Sequence, residues 1–586
     1  MRSRNNGSTF CPFCGKSALV RLHIDSVRNA RDLPCKRGAG SIIEHEGEKN
    51  VPTCGEHLVK LLEAYGVELI FGIPGVHTVE LYRGLEATRI RHVTPRHEQG
   101  AGFMADGYAR ASGKPGVCFI ITGPGMTNIA TAMGEAYADS VPMLVISSVN
   151  TRAHLGMGQG RLHELPSQRN LISGVAAFSH TLLEPEQLPE ILARAFAVFA
   201  SGRPRPVHIE IPLDVITAKM DGQAKAWPLP SRPASDPRLI AEAAELLRQA
   251  KSPLIIAGGG AADAAVEIRK LAERLDAPVF TTINGKGVLP KGHKLALASN
   301  LGMDPARDEL AQSDVVLAIG TEFGETEMYP EPKSIMVKGK LIRIDIDPLQ
   351  LVNQLPVDLP IFSDSMLAVA ALNRALAATK VMNRKGEERA AALRAKIEKG
   401  LWPQCRTHGR LLGLISEVLP HVVIAGDQTE PVYAANQTYE APEPRSYFNS
   451  STGYGTLGYG LPAAIGAKLA QSRRPVVCLI GDGGLQFSLP ELASAVEAQV
   501  PLAVVIWNNT GYGEIKAHMR DRQIPEIGVD IYTPDFITVA KGLGCHAARP
   551  ADAAALRDEL AQSVKRTGPT VIEIRTGDSL ARELVA

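Results

Sequence analysis

The sequence predicts an α/β protein with three consecutive domains, each built on a parallel sheet flanked by helices. From about residue 50 onward, short apolar runs alternate with helical patterns, and many of the runs end in glycine or small polar residues. Buried strands joined by crossover helices have this pattern. The length of 586 residues also exceeds what one hydrophobic core usually supports, so several domains are expected.

The first domain is predicted over residues 50–225. "HLVKLLEAYG" is an amphipathic helix that ends at a glycine, and strands are predicted in "VELIFGIPG", "GVCFIITGPG", "VPMLVISS" and "RPVHIEIP". Residues 1–49 have no sustained periodicity and are predicted to form a flexible N-terminal extension. Cys11 and Cys14 in that extension form a single CxxC pair, with no second CxxC or pair of histidines to complete a zinc site.

A proline-rich segment at 227–237 separates the first domain from a central domain predicted over 238–375, with strands in "SPLIIAGGG", "APVFTTING", "DVVLAIGTEFG" and "KLIRIDIDP". A third domain over 395–582 has strands in "HVVIAGDQT", "RPVVCLIGDGG", "PLAVVIWNN" and "PTVIEIRTG". In open parallel sheets, ligands bind at the carboxyl ends of the strands. The turns after these runs are therefore the expected functional positions.

Composition excludes several classes of function. Hydrophobic residues make up 45%, charged residues 21%, and the net charge is +1, so no bulk attraction to nucleic acid or anionic membranes is expected. The longest apolar runs fall short of the roughly 20 residues of a membrane span. The start of the chain lacks the apolar stretch of a secretory signal, and the eight cysteines are scattered. We therefore expect a cytoplasmic protein without nucleic-acid or membrane partners.

Polar residues follow two predicted strands of the third domain. Asp482 follows "VVCLI" within Gly-Asp-Gly-Gly, and Asn509 ends "AVVIWNN", with Gly511 two residues later. A carboxylate, an amide oxygen and an exposed carbonyl are ligands suited to Mg²⁺, which takes further ligands from phosphates. The alternative is structural: Asp482 caps the next helix and the asparagines form a turn. These residues alone leave both interpretations open.

The spacing of GDG, 24 residues and NN matches the thiamine diphosphate motif. The chain from about 50 to 580 resembles the thiamine diphosphate-dependent acetolactate synthases and 2-oxo acid decarboxylases, which contain a pyrimidine-binding domain, a Rossmann-like central domain and a diphosphate-binding domain in this order. The resemblance implies Mg²⁺ bound by Asp482, Asn509 and the Gly511 carbonyl. The remaining implied cofactor contacts of the third domain are Thr429, Gly483, Gly484 and Tyr512.

Catalysis by this cofactor calls for a glutamate that hydrogen-bonds the aminopyrimidine, whose imino form then acts as the base. Glu98 in "RHEQGAGFMADGYAR" resembles the catalytic-glutamate segment of the family; an acidic residue at a helix N-terminus is the structural alternative. The resemblance also places Pro74 and Gly455 near the pyrimidine and Leu457 between the two rings. Because different subunits of the family bind the two halves of the cofactor, it implies a homo-oligomer with sites at subunit interfaces.

The sequence departs from acetolactate synthases around the expected substrate pocket. His163 in "GRLHELPSQ" replaces a glutamine, and Glu514 and His518 in "NNTGYGEIKAHM" replace an apolar stretch. The paired histidines typical of pyruvate decarboxylases are missing, which makes His163 the first candidate for proton transfer. Val76, beside the Pro74 turn, is an implied substrate contact. The central turn "GTEFGETEMYPEP" differs from the FAD-associated turn of the family, so FAD is not expected.

A buried carboxylate such as Glu514 requires a cationic partner, and a guanidinium would pair with it in bidentate geometry. "DQTEPVYAANQ" and "NNTGYGEI" most resemble enzymes that decarboxylate 5-guanidino-2-oxopentanoate, the 2-oxo acid of arginine. The expected activity is therefore that of a thiamine diphosphate-dependent carboxy-lyase acting on this substrate in arginine metabolism. Two alternatives stay open: a carboligase of the acetolactate synthase type acting on pyruvate, and a non-catalytic homologue that only binds the cofactor.

Overall fold

A computed structural model describes residues 51–328 and 335–585. The predictions for the extension 1–49, and for Cys11 and Cys14 within it, lie outside the described residues. The described chain contains three sheets of six strands, and every pair of neighbouring strands is parallel. The predicted α/β fold with parallel sheets flanked by helices is confirmed.

The N-terminal unit is built on a sheet with the order β2-β1-β3-β4-β6-β5. Its strands are β1 (Leu69–Gly72), β2 (Arg91–Val93), β3 (Gly116–Ile120), β4 (Met143–Val149), β5 (Phe178–Thr181) and β6 (Val207–Pro212). Its helices are α1 (Cys54–Ala64), α2 (Val79–Arg83), α3 (Glu98–Ser112), α4 (Pro124–Ala138), α5 (Gln168–Ser173), α6 (Leu188–Ser201) and α7 (Leu213–Ile216). A capping box between Thr53 and Glu56 begins α1.

The central unit is built on a sheet with the order β12-β11-β10-β7-β8-β9. Its strands are β7 (Pro253–Ala257), β8 (Val279–Thr281), β9 (Ala296–Leu297), β10 (Val315–Ile319), β11 (Lys340–Asp345) and β12 (Leu359–Phe362). Its helices are α8 (Pro237–Gln249), α9 (Ala265–Leu275), α10 (Asp304–Gln312), α11 (Glu325–Met328), α12 (Ser365–Ala375) and α13 (Gly386–Gly400). Helix α13 packs on α10 and β9.

The C-terminal unit repeats the strand order of the N-terminal unit, as β14-β13-β15-β16-β18-β17. Its strands are β13 (Val423–Gly426), β14 (Tyr447–Asn449), β15 (Val476–Gly481), β16 (Ala503–Asn508), β17 (His546–Ala548) and β18 (Thr570–Arg575). Its helices are α14 (Pro403–Val418), α15 (Glu430–Thr438), α16 (Gly460–Ala470), α17 (Asp482–Ser488), α18 (Glu491–Glu497), α19 (Gly513–Asp521), α20 (Phe536–Gly542), α21 (Ala553–Ser563) and α22 (Ser579–Val585).

The N-terminal and C-terminal units pack against each other through α3 and α16. Two glycines allow the close approach of the two helices. A Cβ atom at Gly107 would lie 2.0 Å from the Ala463 carbonyl oxygen, and one at Gly466 would lie 1.9 Å from the Met104 carbonyl oxygen. Small residues at a helix crossing let the two backbones come into contact, so neither glycine can be replaced by a residue with a side chain. A buried core continuous between the two units surrounds this crossing.

A buried ionic cluster lies beside the helix crossing. Arg110 donates to Asp106 at 2.6 Å and to Asp139 at 2.7 Å, while Glu135 lies 3.7 Å away. Burial, together with the negative charge of Asp139, raises the pKa of Glu135 to about 8. Thr456 of the C-terminal unit donates its hydroxyl to Glu135 at 3.0 Å. The cluster therefore ties the segment before α16 to the N-terminal unit.

No helix in the two described ranges combines the length and apolar character that a membrane span requires. The cysteines within those ranges, Cys54, Cys118, Cys405, Cys478 and Cys545, are all buried and free.

Candidate active site

The carboxyl ends of four neighbouring strands of the N-terminal sheet bring together its predicted site residues. Glu98 follows β2, the turn with Pro74 follows β1, a glycine turn at 123–125 follows β3, and His163 lies in the loop after β4. These strands are adjacent in the order β2-β1-β3-β4. The strand order thus places all four segments at one sheet edge, where open parallel sheets bind ligands.

Glu98 is half-buried as the first residue of α3, and its Oε2 accepts a hydrogen bond from Asn128 Nδ2 at 2.9 Å. The two residues before it are held by the buried Glu491 of α18, because the backbone N–H groups of Arg96 and His97 donate to Oε1 of Glu491 at 3.0 and 3.1 Å. The C-terminal unit therefore fixes the position of the glutamate. Sequence reasoning missed Glu491, which is distant along the chain.

The turn after β1 exposes Pro74 and Val76. Thr78 closes this turn, since its Oγ1 accepts the Gly75 N–H at 3.0 Å. Val76 is an apolar side chain that is 67% exposed at this turn. The half-buried His163 contacts His77, which the sequence analysis did not single out although it lies three residues after Pro74.

Three oxygen atoms converge at the carboxyl ends of β15 and β16. Asn509 Oδ1 lies 3.2 Å from Asp482 Oδ1 and 2.9 Å from the Gly511 carbonyl oxygen. With Mg²⁺–oxygen distances of about 2.1 Å, neighbouring ligands of an octahedral ion lie about 3 Å apart. Groups of three or more His, Cys, Asp or Glu suited to a metal do not occur in the described part of the chain. This cluster uses one carboxylate, one amide and one carbonyl.

The orientation of the Asn509 amide decides whether the cluster fits a cation. If the amide were turned over, its nitrogen could donate to Asp482 and to the Gly511 carbonyl. Glu430 favours the other orientation, because its Oε1 accepts from Asn509 Nδ2 at 3.3 Å. Glu430 also accepts from Trp507 Nε1 at 3.0 Å, and His408 lies 3.4 Å away. Hydrogen bonding to His408 lowers the pKa of Glu430, so it remains an acceptor and holds the amide oxygen towards the cluster.

The two glycines of the predicted diphosphate turn pack closely against neighbouring side chains. A Cβ atom at Gly483 would lie 2.7 Å from the Tyr512 ring, and one at Gly484 would lie 2.7 Å from Asp427 Oδ1. Thr429 is buried against Gly481 at the start of the same turn. Both glycines are buried, and a side chain at either position would collide with its neighbour.

Asp427 fixes the segment that bears the remaining predicted cofactor contacts. Its Oδ2 accepts the Gly460 N–H at the start of α16 at 2.8 Å, and burial raises its pKa to about 6. The preceding residues include Gly455, which is exposed in the left-handed region at φ +82°, and the half-buried Leu457. Asp427 could not be singled out from the sequence, because its only signal there is its place after a buried strand.

Glu514 and His518 lie one helical turn apart on α19, a helix without a fully buried residue. His518 Nε2 is 3.4 Å from Glu514 Oε1, and both side chains are more than half exposed. The expectation that Glu514 is a buried carboxylate is therefore wrong, because α19 lies at the surface of the described chain. The charge of Glu514 contributes to a raised pKa of the Tyr433 hydroxyl, which burial raises most. Tyr433 belongs to "DQTEPVYAANQ", so the two segments quoted for substrate recognition lie near each other.

The structure brings the predicted site residues together as two groups. Within the described ranges, no hydrogen bond or ion pair joins the N-terminal group of Glu98, Pro74 and His163 to the C-terminal group of Asp482, Asn509 and Glu514. Each group lies at the carboxyl edge of its own sheet.

Family models and curated relatives show to which family the chain belongs. Residues 52–171, 240–372 and 427–574 match the N-terminal thiamine pyrophosphate-binding, central and C-terminal thiamine pyrophosphate-binding domains of thiamine pyrophosphate enzymes. A probable 2-ketoarginine decarboxylase of Pseudomonas aeruginosa is 46% identical over 94% of this chain and 98% of its own length.

Acetolactate synthases are also similar. The isozyme 1 large subunit of Escherichia coli is 32% identical over 89% of this chain and 94% of its own length. A probable acetolactate synthase large subunit of Methanocaldococcus jannaschii is 32% identical over 89% of this chain and 91% of its own. The resemblance found in the sequence is confirmed, and the chain belongs to the thiamine pyrophosphate enzymes.

Proposed function

We propose that this protein is a thiamine diphosphate- and Mg²⁺-dependent decarboxylase that converts 5-guanidino-2-oxopentanoate to 4-guanidinobutanal and CO₂, a step of arginine breakdown that follows transamination. The observation that carries the proposal is the 46% identity, over nearly the whole chain, to a probable 2-ketoarginine decarboxylase. The acetolactate synthases of Escherichia coli and Methanocaldococcus jannaschii share less identity with the chain, at 32%.

The cofactor roles follow the two groups of residues. Asp482, Asn509 and the Gly511 carbonyl hold Mg²⁺, while the turn with Gly483 and Gly484 accommodates the diphosphate. Bound thiamine diphosphate supplies the carbon nucleophile that adds to the 2-oxo group and accepts the electron pair that CO₂ leaves behind. The other contacts of the C-terminal unit are Thr429, Gly455, Leu457 and Tyr512. The domains proposed for these roles are pyrimidine-binding (50–225), central (238–375) and diphosphate-binding (395–582).

Glu98 controls the proton at the pyrimidine end of the cofactor. Its carboxyl group would hold the pyrimidine ring through a hydrogen bond and would keep a proton at the ring nitrogen that it faces. The hydrogen bond from Asn128 at 2.9 Å and the packing on the glycine turn support this role, because they fix the carboxylate at the open edge of the sheet. Pro74 contributes a contact to the pyrimidine from the neighbouring turn.

Glu514 selects the substrate through the positive charge of the substrate's guanidinium group, at the end opposite the 2-oxo acid. The guanidinium of 5-guanidino-2-oxopentanoate replaces His518 as the partner of Glu514 and forms two parallel hydrogen bonds with the carboxylate. Tyr433 lies close enough to Glu514 that the carboxylate charge raises the pKa of its hydroxyl. Val76, which is 67% exposed, covers the apolar part of the substrate.

A second copy of the chain completes each site. Apolar side chains are exposed beside both groups of site residues, with Val76 and Leu162 in the N-terminal unit and Tyr454, Phe487 and Tyr532 in the C-terminal unit. Exposed apolar patches of this kind mark interfaces. We also propose a cytoplasmic location, because buried free cysteines are typical of reducing compartments.

The role of Glu514 is tested with two substrates. In Glu514→Gln, kcat/KM for 5-guanidino-2-oxopentanoate should fall about 10- to 100-fold, since one partner of a charged hydrogen-bonded pair is lost. kcat/KM for an apolar 2-oxo acid should stay within about twofold. Asp521→Asn, an exposed carboxylate on the same helix, is the control. Equal losses with both substrates would refute the proposed selectivity.

Carboligation is the second candidate function, favoured by the similarity to acetolactate synthases. Incubation with pyruvate alone distinguishes the carboligase from the proposed decarboxylase. Rapid formation of acetolactate would support the carboligase, whereas the proposed decarboxylase forms little. A homologue that only binds the cofactor would release no CO₂ from any 2-oxo acid.

A further inference from the structure

Two histidine rings, His77 and His163, meet at the carboxyl edge of the N-terminal sheet. Their centroids lie 5.0 Å apart, and the ring planes are inclined at 70°. The Nδ1 atom of each ring is buried without a hydrogen-bond partner. This holds for neither of the two Nε2 atoms. Buried polar atoms normally find partners, so two unpartnered nitrogens in contacting rings call for an explanation.

The backbone at His163 is held in a conformation that non-glycine residues rarely adopt, with φ at +60°. Hydrogen bonds on both sides impose it. Asn150 Nδ2 donates to the Leu162 carbonyl at 3.2 Å, and Glu164 accepts the backbone N–H groups of Gly158 at 2.7 Å and Arg161 at 3.0 Å. Such strained backbone, imposed by its surroundings, concentrates at functional sites.

The same turn contacts both His163 and the predicted catalytic glutamate. A Cβ atom at Gly123 would lie 2.6 Å from the His163 carbonyl oxygen, and one at Gly125 would lie 3.3 Å from Glu98 Oε1. The turn is fixed by Gln168, whose Oε1 accepts the Gly123 N–H at 2.9 Å. The imidazole pair therefore lies at the same carboxyl ends of the strands as Glu98.

Electrostatics limit the charge that the pair can hold. Burial and the neighbouring His163 lower the pKa of His77, because two imidazolium ions in contact repel each other. The carboxylates on the adjoining segments have partners of their own: Glu98 accepts from Asn128, and Glu164 accepts from the backbone. A proton on His163 therefore disfavours a second proton on His77.

We propose that His77 and His163 form one proton-holding pair, in which His163 gives a proton to the carbon that CO₂ has left and His77 positions His163 and shares its charge. The inference rests on the proposed decarboxylation. As the Nε2–H bond of His163 breaks, the electron pair left by CO₂ forms the new C–H bond, and the imidazole becomes neutral. Water restores the proton through Nε2, so one proton is consumed for each CO₂ released.

Two substitutions test the pair on the holoenzyme. His163→Asn removes the proton donor and should lower kcat about 100-fold or more, as loss of a general acid does. His77→Phe keeps a ring against His163 but removes its nitrogens, and should lower kcat at least about tenfold while cofactor affinity is unchanged. The substrate is whichever 2-oxo acid the wild type decarboxylates fastest.

His180→Asn is the matched control. His180 lies on the edge strand β5 of the same sheet, is also half-buried with an unpartnered buried nitrogen, and has a pKa lowered mainly by burial. Its substitution should leave kcat within about twofold, since it lies outside the proton-holding pair.

A titration of the apoprotein tests the pairing without any reaction. In protein labelled with ¹³C at histidine Cε1, His163→Asn should raise the pKa of His77, because the neighbouring charge is gone, and His180→Asn should leave it unchanged. An unchanged His77 titration in His163→Asn would refute the pair. If that variant does not fold, the wild-type signals decide, since coupled rings titrate in two steps and independent rings in one.

The outcomes separate this inference from the proposed function. If the wild type decarboxylates a 2-oxo acid and His77→Phe retains kcat within about twofold, the paired role is wrong while the proposed function stands. If the wild type decarboxylates none, both the proposed function and the proton transfer are wrong.

Discussion

Glu430 shows how a residue outside the predicted metal ligands can decide whether they bind a cation. Its carboxylate accepts a hydrogen bond from the Asn509 amide nitrogen at 3.3 Å. This bond turns the amide oxygen towards Asp482 and the Gly511 carbonyl. Asp482 and Asn509 could be singled out from the sequence because each directly follows a buried strand. It did not reveal Glu430, because the partner of a side chain in another segment is set by the fold.

Glu430→Gln should weaken Mg²⁺ binding about 10- to 100-fold, as expected when a group that orients a metal ligand is replaced. The measurement is calorimetric titration of Mg²⁺ into protein saturated with thiamine diphosphate. Glu417→Gln, on the exposed end of α14, is the control and should bind Mg²⁺ like the wild type. Unaltered affinity in Glu430→Gln would contradict the orienting role.

His77 illustrates a second limit at the scale of residues. His163 could be singled out because it departs from a family segment, and its place after β4 agrees with a site at the sheet edge. The ring that contacts it comes from the turn after β1, 86 residues earlier in the chain. Nothing in the spacing of two histidines predicts that contact. The catalytic and binding roles of the site residues stay predictions.

At the scale of elements, the sequence predicts the inner strands best. β3, β7 and β15 are buried along their whole length, so each appears as a continuous apolar run that helices cover on both faces. Edge strands such as β9, with two residues, and β17, with three, were missed. Short edge strands are paired on one side only and lack the apolar run that marks a buried strand.

The contact between α4 and the segment before α16 should make stability depend on pH. Glu135 has a pKa raised to about 8 in the folded state, above its value in the unfolded chain. The folded protein therefore binds this proton more tightly, and the free energy of unfolding falls as the pH rises from about 5 towards about 8.

Glu135→Gln cannot ionise but can still accept the Thr456 hydroxyl, so its melting temperature should fall less than that of the wild type over this pH range. Thermal melts at a series of pH values measure the difference. Glu190→Gln, on the exposed face of α6, should follow the wild type. Parallel curves for Glu135→Gln and the wild type would show that Glu135 ionises normally.

At the scale of the whole molecule, the matching strand orders of the N-terminal and C-terminal units place one group of site residues on each sheet. The α3–α16 crossing fixes these units against each other within one chain, and no hydrogen bond among the described residues joins the two groups. The sequence could predict two half-sites, from Glu98 and Asp482, but it could not show which copy of the chain supplies each half.

Mixed assemblies of two inactive variants answer that question. Glu98→Gln and Asp482→Asn, co-expressed with different tags and purified through both, should regain up to about half of wild-type activity, because in a two-fold dimer one of the two interface sites contains both native residues. Each variant alone is the control. Mixed assemblies as inactive as the single variants would place each site within one chain.

The most direct test of the proposed function is the product that the wild-type enzyme forms from 5-guanidino-2-oxopentanoate in the presence of thiamine diphosphate and Mg²⁺. We expect CO₂ and 4-guanidinobutanal in equal amounts, with a higher kcat/KM than for pyruvate or an apolar 2-oxo acid. No aldehyde from the cationic substrate, together with acetolactate from pyruvate, would contradict it.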